Sequence, residues 1–597
     1  MRIFLMCSLV GLCLQILPAQ EMKIKMDALT KNANKMKEKE KIDMLSEIYM
    51  SYQLEASPET GTFIGKPSDN SKWTDMSRTA IDQRKKNNEL FLNAINSINR
   101  TDLTPEDQLN YDLLKSSFEI AKEGDQFPSE LLPINQMSGT HQFINMVASV
   151  TSISNEKDMD NYLSRLRNIS LLIDQNIALM EEGIKKKIVP PKATLRGVPE
   201  QIQNMLTSDA SKSPLMKPAM GYIEKLPVNQ QERYKKTVTD VIRNSVNPSF
   251  EKLKTYIEKT YIPSARETVG LSALPNGTNW YNFNIKQQTT TSQTYQQIHQ
   301  TGLSEVKRIR KQMDSLILAV GFKGSFEEFG VFLKTDQRFI YATATELLDG
   351  YRVIAKKVDA QLPKYFGKLP RLTYGVEPVP SFDEKFQTTA YYMSGSTSAG
   401  RSGTFYANTY DLKTRPKWEM EALTIHEAVP GHHLQLALAE EQENVPEFRK
   451  YDGYTAFIEG WGLYSESLGV EMGFYKDPYS KFGQLTYEMW RAIRLVVDTG
   501  IHGMGWTRQQ AIDYFKSNAA KNEHDIIVEI DRYIGWPGQA LAYKTGELKI
   551  KELRAIAQKK LGDKFDLRKF HDVVLGSGSV PLSILEKQVY AWIDSVK

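Results

Sequence analysis

Cysteine is nearly missing from this 597-residue chain: Cys7 and Cys13 are the only two, and both stand close to the N-terminus. A disulfide framework and thiolate chemistry in the body of the protein are thereby excluded, and stability has to come from core packing. An excess of one charge is missing too. Lys and Arg number 76 against 72 Asp and Glu, which gives no electrostatic reason to expect nucleic acid as a partner. The short runs Lys185-Lys186-Lys187 and Lys559-Lys560 read as solvated faces of helices. Beyond the N-terminal segment no apolar run is long enough to span a bilayer, and there is no internal repeat or low-complexity block. What is present, 41% hydrophobic and 25% charged residues, is the ordinary composition of a globular protein with ample length to bury a core.

The first residues have the layout of a secretory signal. Arg2 precedes a largely apolar run from Ile3 to Leu17, followed by Pro18-Ala19-Gln20, so residues 1–19 are expected to be a cleaved leader and the protein to be exported, periplasmic or extracellular. Lipid attachment at Cys13 ranks second, because Leu12 is bulky where a lipoprotein signal wants a small residue. Residues 20–597 then form the body, mainly helical, with two lobes at about 20–360 and 361–597 meeting in the alternating helix and proline-rich loop from Lys334 to Pro380. Apolar residues three and four apart predict helices from Thr104-Pro105, over Asn155 to Lys187 up to Pro190-Pro191, over Pro227 to Glu258, and over Thr294 to Leu318. The best strand signal, Thr404 to Asn408, follows a turn-rich stretch and leads toward the next helix, which predicts a small β-sheet beside it.

That next helix is expected to run from Pro416 to Glu441, with His426-Glu427-Ala428-Val429-Pro430-Gly431-His432-His433 at its middle. A zinc hydrolase needs neutral imidazoles on one rigid face and a carboxylate beside the metal water, and His-Glu brings both. The usual spacing sets the two histidines about four residues apart on a regular helix. Here His432 is six positions on, about 240° of rotation on an ideal helix, whereas His433 returns nearly to the first face. Proline cannot be passed by an undisturbed helix, so a bulge at Pro430-Gly431 would absorb two residues and bring His432 back. Spacing alone leaves His432 and His433 open. The third ligand is expected from Phe457 to Glu466. Glu459 is an acid in an apolar helix, costly unless bound to a metal or paired with an arginine such as Arg491 or Arg494, and Glu466, two turns on, is placed to orient a histidine.

The chain resembles the bacterial domain-of-unknown-function 885 family over nearly all of its body. The family pattern His-Glu-x-x-Pro-Gly-His is matched by His426 to His432, and Glu-Gly-Trp-x-x-Tyr by Glu459 to Tyr464; Gly270 to Pro275 and Pro537 to Leu541 match as well. The resemblance favours His432 over His433. The family is similar to helical gluzincin-type zinc peptidases such as angiotensin-converting enzyme and thimet oligopeptidase, from which it differs in the stretched histidine spacing. The resemblance implies a zincin-like helical body with a deep cleft, one Zn2+ ion, and hydrolysis of peptide substrates.

In that reading Glu427 is the general base and acid. An oxyanion needs a further donor, for which His502, with Asp498 one turn earlier to fix its tautomer, and Tyr543, after the Pro537-Gly538-Gln539 turn, are the candidates. Their positions after Glu459 match those of such donors in the similar peptidases. Arg401, Arg491, Arg494 and Arg532 are candidates to grip a peptide carboxylate, and the strand at Tyr406 to align the substrate backbone as an added strand. His141, His299, His524 and His571 fall outside the pattern and receive no role. A zinc hydrolase of another amide or ester, and a non-catalytic peptide binder with the same fold, are the competing readings; Glu427 disfavours the second, because a binder has no need of it.

Overall fold

The structure, a computed structural model, describes residues 18–31, 35–66, 69–381, 384–385 and 387–596. Of the expected leader, residues 1–17 with Cys7 and Cys13 lie outside the described residues, and Pro18 and Ala19 begin a helix, Pro18–Lys31. The described chain is mainly helical with one three-stranded sheet, and none of its helices is long and apolar enough to cross a membrane.

Local chemistry explains where the expected helices start and break. Thr104 caps Pro105–Gly124 by accepting from Asp107 N, with proline at the first helical position. The stretch expected as one helix up to Lys187 is two, Glu156–Arg167 and Ile169–Lys186. They part at Asn168, whose side-chain amide is drawn off to Ser71 O at 3.2 Å. The helix expected from Pro227 continues through Val228–Val241 and Asn247–Tyr256 to Ile262–Ser264. It widens into π turns at Ile242–Val246 and Ile257–Tyr261, each just ahead of a proline, Pro248 and Pro263, which has no N–H to give and would clash with a regular turn.

The site is carried by the C-terminal half. Helix α1 (Tyr295–Ala319), opened by a Thr294/Gln297 capping box, lies along a later helix through Gly302, where a Cβ would come within 2.7 Å of Leu495 Cβ. The helix expected over Pro416 to Glu441 is interrupted: α2 (Met420–Glu427) and α3 (His432–Glu440) are separated by Ala428 to Gly431. Then follow α4 (Thr455–Leu468), α5 (Pro478–Met504), α6 (Glu523–Gly535) and α7 (Ala542–Leu561). Helix α5 starts at a cap by Asp477, stops at Gly505 with φ +73°, and is buried on every side from Phe482 to His502, the mark of a helix that forms the centre of a core. Its polar residues Arg491, Arg494, Asp498 and His502 recur at helical spacing as one internal stripe. Helices α4 and α7 touch backbone to backbone, since a Cβ on Gly460 would lie 2.5 Å from Gly546 Cα and one on Gly546 1.8 Å from Ala456 O.

In the sheet, β1 (Tyr374–Pro378) pairs parallel with β3 (Gly403–Ala407), and β2 (Ala390–Met393) pairs antiparallel with it. Strand β3 is therefore the middle strand. Tyr406 faces Glu377 on one side and Tyr391 on the other, so the expectation that a ligand strand adds at Tyr406 is corrected: both backbone edges there are already paired, and the edge that packs on α2 belongs to β2. The hydrophobic cores divide elsewhere than at Lys334 to Pro380. The main core draws on residues from Met22 to Ile593 on both sides of that segment, while Ile134 to Tyr261 build a second core of their own.

Candidate metal centre

Helix α2 ends on the residues that matter. Ala428 N makes the last regular bond, to Thr424 O at 2.9 Å, and the chain then leaves the helix with Ala428 at φ −95°, ψ −108°. Gly431 N reaches back six residues to Ile425 O at 3.0 Å, and His433 N five residues to Ala428 O at 3.0 Å. This wide turn takes up the two extra residues. Only glycine passes at 431, because a Cβ would stand 1.9 Å from His426 O and 2.5 Å from Ile425 O. The turn is pinned from the neighbouring helix by Trp461, whose indole N–H donates to Pro430 O at 2.7 Å.

With the turn folded this way, His432 opens α3 with its ring 4.7 Å from that of His426, the planes at 87°. Helix α4 supplies Glu459, whose Oε2 lies 3.6 Å from His426 Nε2 and 3.4 Å from His432 Nε2. Three such atoms around a zinc ion at 2.0–2.1 Å with tetrahedral angles would sit about 3.4 Å from one another. The fit is close, and Glu459 Oε2 is a buried oxygen with no hydrogen-bond partner, the kind of orphan a cation would satisfy. His426, His432 and Glu459 are the group of potential metal ligands that the described residues bring together. His426 Nδ1 bonds Glu466 Oε1 at 2.8 Å, which leaves Nε2 unprotonated toward Glu459 when the imidazole is neutral. Gly462 permits this packing: a Cβ there would be 2.8 Å from His426 Cε1.

The charges in the group support one another. Burial works against a charge on His426, yet the carboxylates of Glu459 and Glu466 lift its pKa to about 9. Burial would likewise raise Glu459, but the two imidazoles facing it hold its carboxyl well below the usual range. Glu427, the last residue of α2, is buried to 8% exposure and has no hydrogen bond or ion pair among the described residues, so its carboxylate is uncommitted.

The other expected residues fall into two sets. His433 turns away from the group, bonding Tyr392 O–H at 2.9 Å and Leu372 O at 3.0 Å, and burial lowers its pKa to about 4. His502 is corrected as a donor to ligand: it is fully buried, Leu271 N donates to its Nδ1 at 2.9 Å and its Nε2 bonds Tyr533 O at 3.0 Å. Asp498 does not reach it, accepting instead from Tyr281 O–H at 2.6 Å and from Gly538 N. Arg401 is tied to Phe63 O at 3.0 Å as an anchor for the N-terminal part of the chain. Tyr406 stacks on Tyr391, centroids 5.0 Å apart.

Arg491, Arg494, Arg532 and Tyr543 come together instead. The Tyr543 hydroxyl oxygen Oη accepts from Arg532 Nη2 at 3.1 Å and from Gln539 Nε2 at 3.4 Å, and Arg494 lies 4.3 Å over its ring. Arg491 Nη2 approaches Glu466 Oε1 at 3.5 Å, which joins this cluster to the metal centre, and Arg494 pairs with Glu529 at 3.1 Å. Glu459 is thus left to the histidines. Among residues given no role from the sequence, Gly462 and Trp461 had a signal in the Glu-Gly-Trp-Gly run and Gln539 in the Pro537 to Leu541 match, whereas Glu529 and Tyr533 had none. A cavity of about 870 Å³ opens elsewhere, beside Tyr49, Lys286, Asp452 and Tyr454, and none of the metal-centre residues lines it.

The family described as "Bacterial protein of unknown function (DUF885)" matches residues 58–589. No curated protein matches the chain. Among solved structures, one described as a "putative lipoprotein" from Colwellia psychrerythraea is similar at 31% identity and a TM-score of 0.89, over 94% of this chain and 100% of that one. Another, a "putative lipoprotein of unknown function" from Shewanella oneidensis, shares the fold at 16% identity and a TM-score of 0.68, over 92% of this chain and 99% of that one. The chain belongs to the DUF885 family.

Proposed function

We propose that this DUF885 protein is an exported zinc-dependent hydrolase that cleaves peptide bonds, with His426, His432 and Glu459 as the metal ligands. The observation that carries the reading is the convergence of two imidazole Nε2 atoms on one orphaned carboxylate oxygen, at 3.6 and 3.4 Å, directly beside an uncommitted Glu427. Zinc held there supplies a Lewis acid that polarises a carbonyl and makes water acidic enough to attack near neutral pH. Glu466 fixes the His426 tautomer by accepting from Nδ1–H. Glu427 takes the proton of the attacking water and returns it to the departing amine, work one carboxylate performs in both directions. Tyr543 is the donor to the developing oxyanion: Arg532 and Gln539 both donate to its oxygen, which leaves its own hydrogen free to point at a ligand. A cleft leading to these groups belongs to this reading. The described character of the two solved neighbours, "putative lipoprotein", supports a site of action outside the cytoplasm.

The free Glu427 favours a hydrolase over a pure binder, since a carboxylate next to the proposed ligands that keeps solvent contact and has no structural partner is available to take the proton of an attacking water. The test is Glu427→Gln beside His426→Ala, with metal content by mass spectrometry and hydrolysis of a peptide library with and without chelator. Glu427→Gln is expected to keep the metal and lose turnover by about 10²- to 10⁴-fold, and His426→Ala to lose both. Full turnover in Glu427→Gln sinks the mechanism.

A further inference from the structure

Beside the metal centre the protein has buried more positive charge than it has neutralised. Arg494 gives Nε to the phenolic oxygen Oη of Tyr533 and Nη2 to Glu529. Arg532 gives Nη1 to Glu529, and Nη2 to Gln539 and Tyr543. Arg491 gives Nη1 to Tyr487 O and leans Nη2 toward Glu466. One donor on each is left over: Arg491 Nε, Arg494 Nη1 and Arg532 Nε are buried and have no hydrogen-bond partner. A guanidinium stays protonated in a protein, so three permanent cations face two carboxylates, Glu529 and Glu466, and Glu466 shares its Oε1 with His426 while its Oε2 is buried without a partner. The neighbouring Lys521 changes nothing, because Glu419 holds it through both oxygens at 2.7 and 2.8 Å. An uncompensated buried cation with idle donors is expensive, and a single anionic ligand would satisfy charge and donors together. The arginines also share a ring: Arg491, Arg494 and Arg532 lie 6.0, 4.3 and 6.0 Å from the Tyr543 centroid. Trp490, Arg491, Arg532 and Tyr543 keep 8, 5, 7 and 7% of their surface open, as Glu427 and His432 do at 8% each, while Arg494 at 3% lies deeper, with Tyr533 and Glu529 at 1% and 3%.

We infer that Arg491, Arg494 and Arg532, gathered on Tyr543 beside the metal centre, are the seat of a ligand carboxylate, and that the substrates are short peptides with a free C-terminal carboxylate. The substrate class rests on the hydrolase reading; the seat itself rests on the unmatched guanidiniums. Planar guanidinium donors suit a carboxylate better than a point charge would, since two parallel N–H groups meet its two oxygens. Linked through Glu466 to His426, the seat is near enough to the metal for short peptides to bridge the two, and an amidated or esterified C-terminus, lacking the charge, would leave the donors idle.

The experiment compares N-acetyl-Ala-Ala-Phe with its C-terminal amide. Binding is measured by calorimetry on the zinc-loaded mature chain carrying Glu427→Gln, and hydrolysis on the wild type. The acid is expected to bind about 10- to 100-fold more tightly than the amide, the worth of charge-assisted hydrogen bonds. In the Arg532→Gln background that gap is expected to shrink at least severalfold, with Arg532→Lys in between and circular dichroism checking the fold of each. Equal binding of acid and amide, a comparison that needs no arginine variant, overturns the seat. So does a gap that survives undiminished in folded Arg532→Gln, which would place the carboxylate on the zinc. A clear preference for the acid without hydrolysis of either peptide would leave the seat standing and sink the hydrolase reading, whereas equal hydrolysis and equal binding would do the reverse.

Discussion

Replacing Gly462 by alanine adds one methyl group to a residue that is neither a ligand nor a base, and tests the packing that sets the ligand geometry. A Cβ at 462 would lie 2.8 Å from His426 Cε1, 3.0 Å from Nε2 and 3.1 Å from Nδ1, against an ordinary carbon contact of about 3.5–4.0 Å. The ring must withdraw by roughly half an ångström or more, and it has nowhere easy to go. It is 2% exposed, and on its Nδ1 side it is held by Glu466 at 2.8 Å. Either that bond lengthens or α4 backs away from α2, and in both cases Nε2 moves relative to Glu459. Overpacking of this size costs about 1–3 kcal/mol. Expressed in ligation, the same energy is about a 5- to 150-fold loss of zinc affinity. Competition between the variant and a chromophoric chelator measures it, with thermal unfolding of the metal-free protein recording the share that falls on stability. Zinc affinity within twofold of wild type, together with an unchanged melting temperature, would refute the reasoning.

Two further outcomes concern the frame and its pH response. Lys544, fully buried on α7, holds Glu305, Glu488 and Glu547 at 3.0, 2.9 and 2.6 Å; Lys544→Met strands those carboxylates and is expected to cost about 3–5 kcal/mol in a denaturant titration, and a loss under 1 kcal/mol would show that Arg308 and Lys551, which also reach the cluster, neutralise it alone. Asp452 is raised by burial to about 7 from an ordinary value of 3.8. Between those values the unfolded chain has released a proton that the native protein retains, so this group makes stability fall as pH rises from 4 toward 7 and level off above; because Asp452 is half-buried and lines the open cavity, the change is about 1–2 kcal/mol, well short of what a dry site would give. Asp452→Asn is expected to match wild type near pH 4 and to be the more stable protein at pH 8, and melting temperatures that run parallel across that range would contradict this.

The elements that sequence could set out are those whose causes are local. The Thr104 cap and the Thr294 capping box mark their helix starts because a side chain and a backbone N–H three residues on decide them. Glu459 and Glu466, two turns apart on one face, were legible for the same reason. The choice between His432 and His433 was not, since rotation on an ideal helix argues one way and a bulge the other. What decides it is a contact from outside the motif: Trp461 holding Pro430 O, with Gly431 folded under His426. His502 shows the opposite failure. Asp498 stands one turn before it on α5, but Leu271, Tyr533, Tyr281 and Gly538, from segments distant in sequence, claim the two side chains separately. Helical spacing says which residues share a face and nothing about which partner arrives there. The excess of buried guanidinium was equally invisible, because charge balance in a core depends on who the neighbours are.

The contact of α4 with α7 at Gly460 and Gly546, made without a side chain between them, has a consequence for how a metal is taken up. Glu459 rides on a girder seated directly against another, with no slack for sliding or tilting. Under the proposed function the group around Glu459 is a finished mould rather than one an ion must shape, and the expected outcome is that zinc can be withdrawn and restored while the surrounding architecture holds its form.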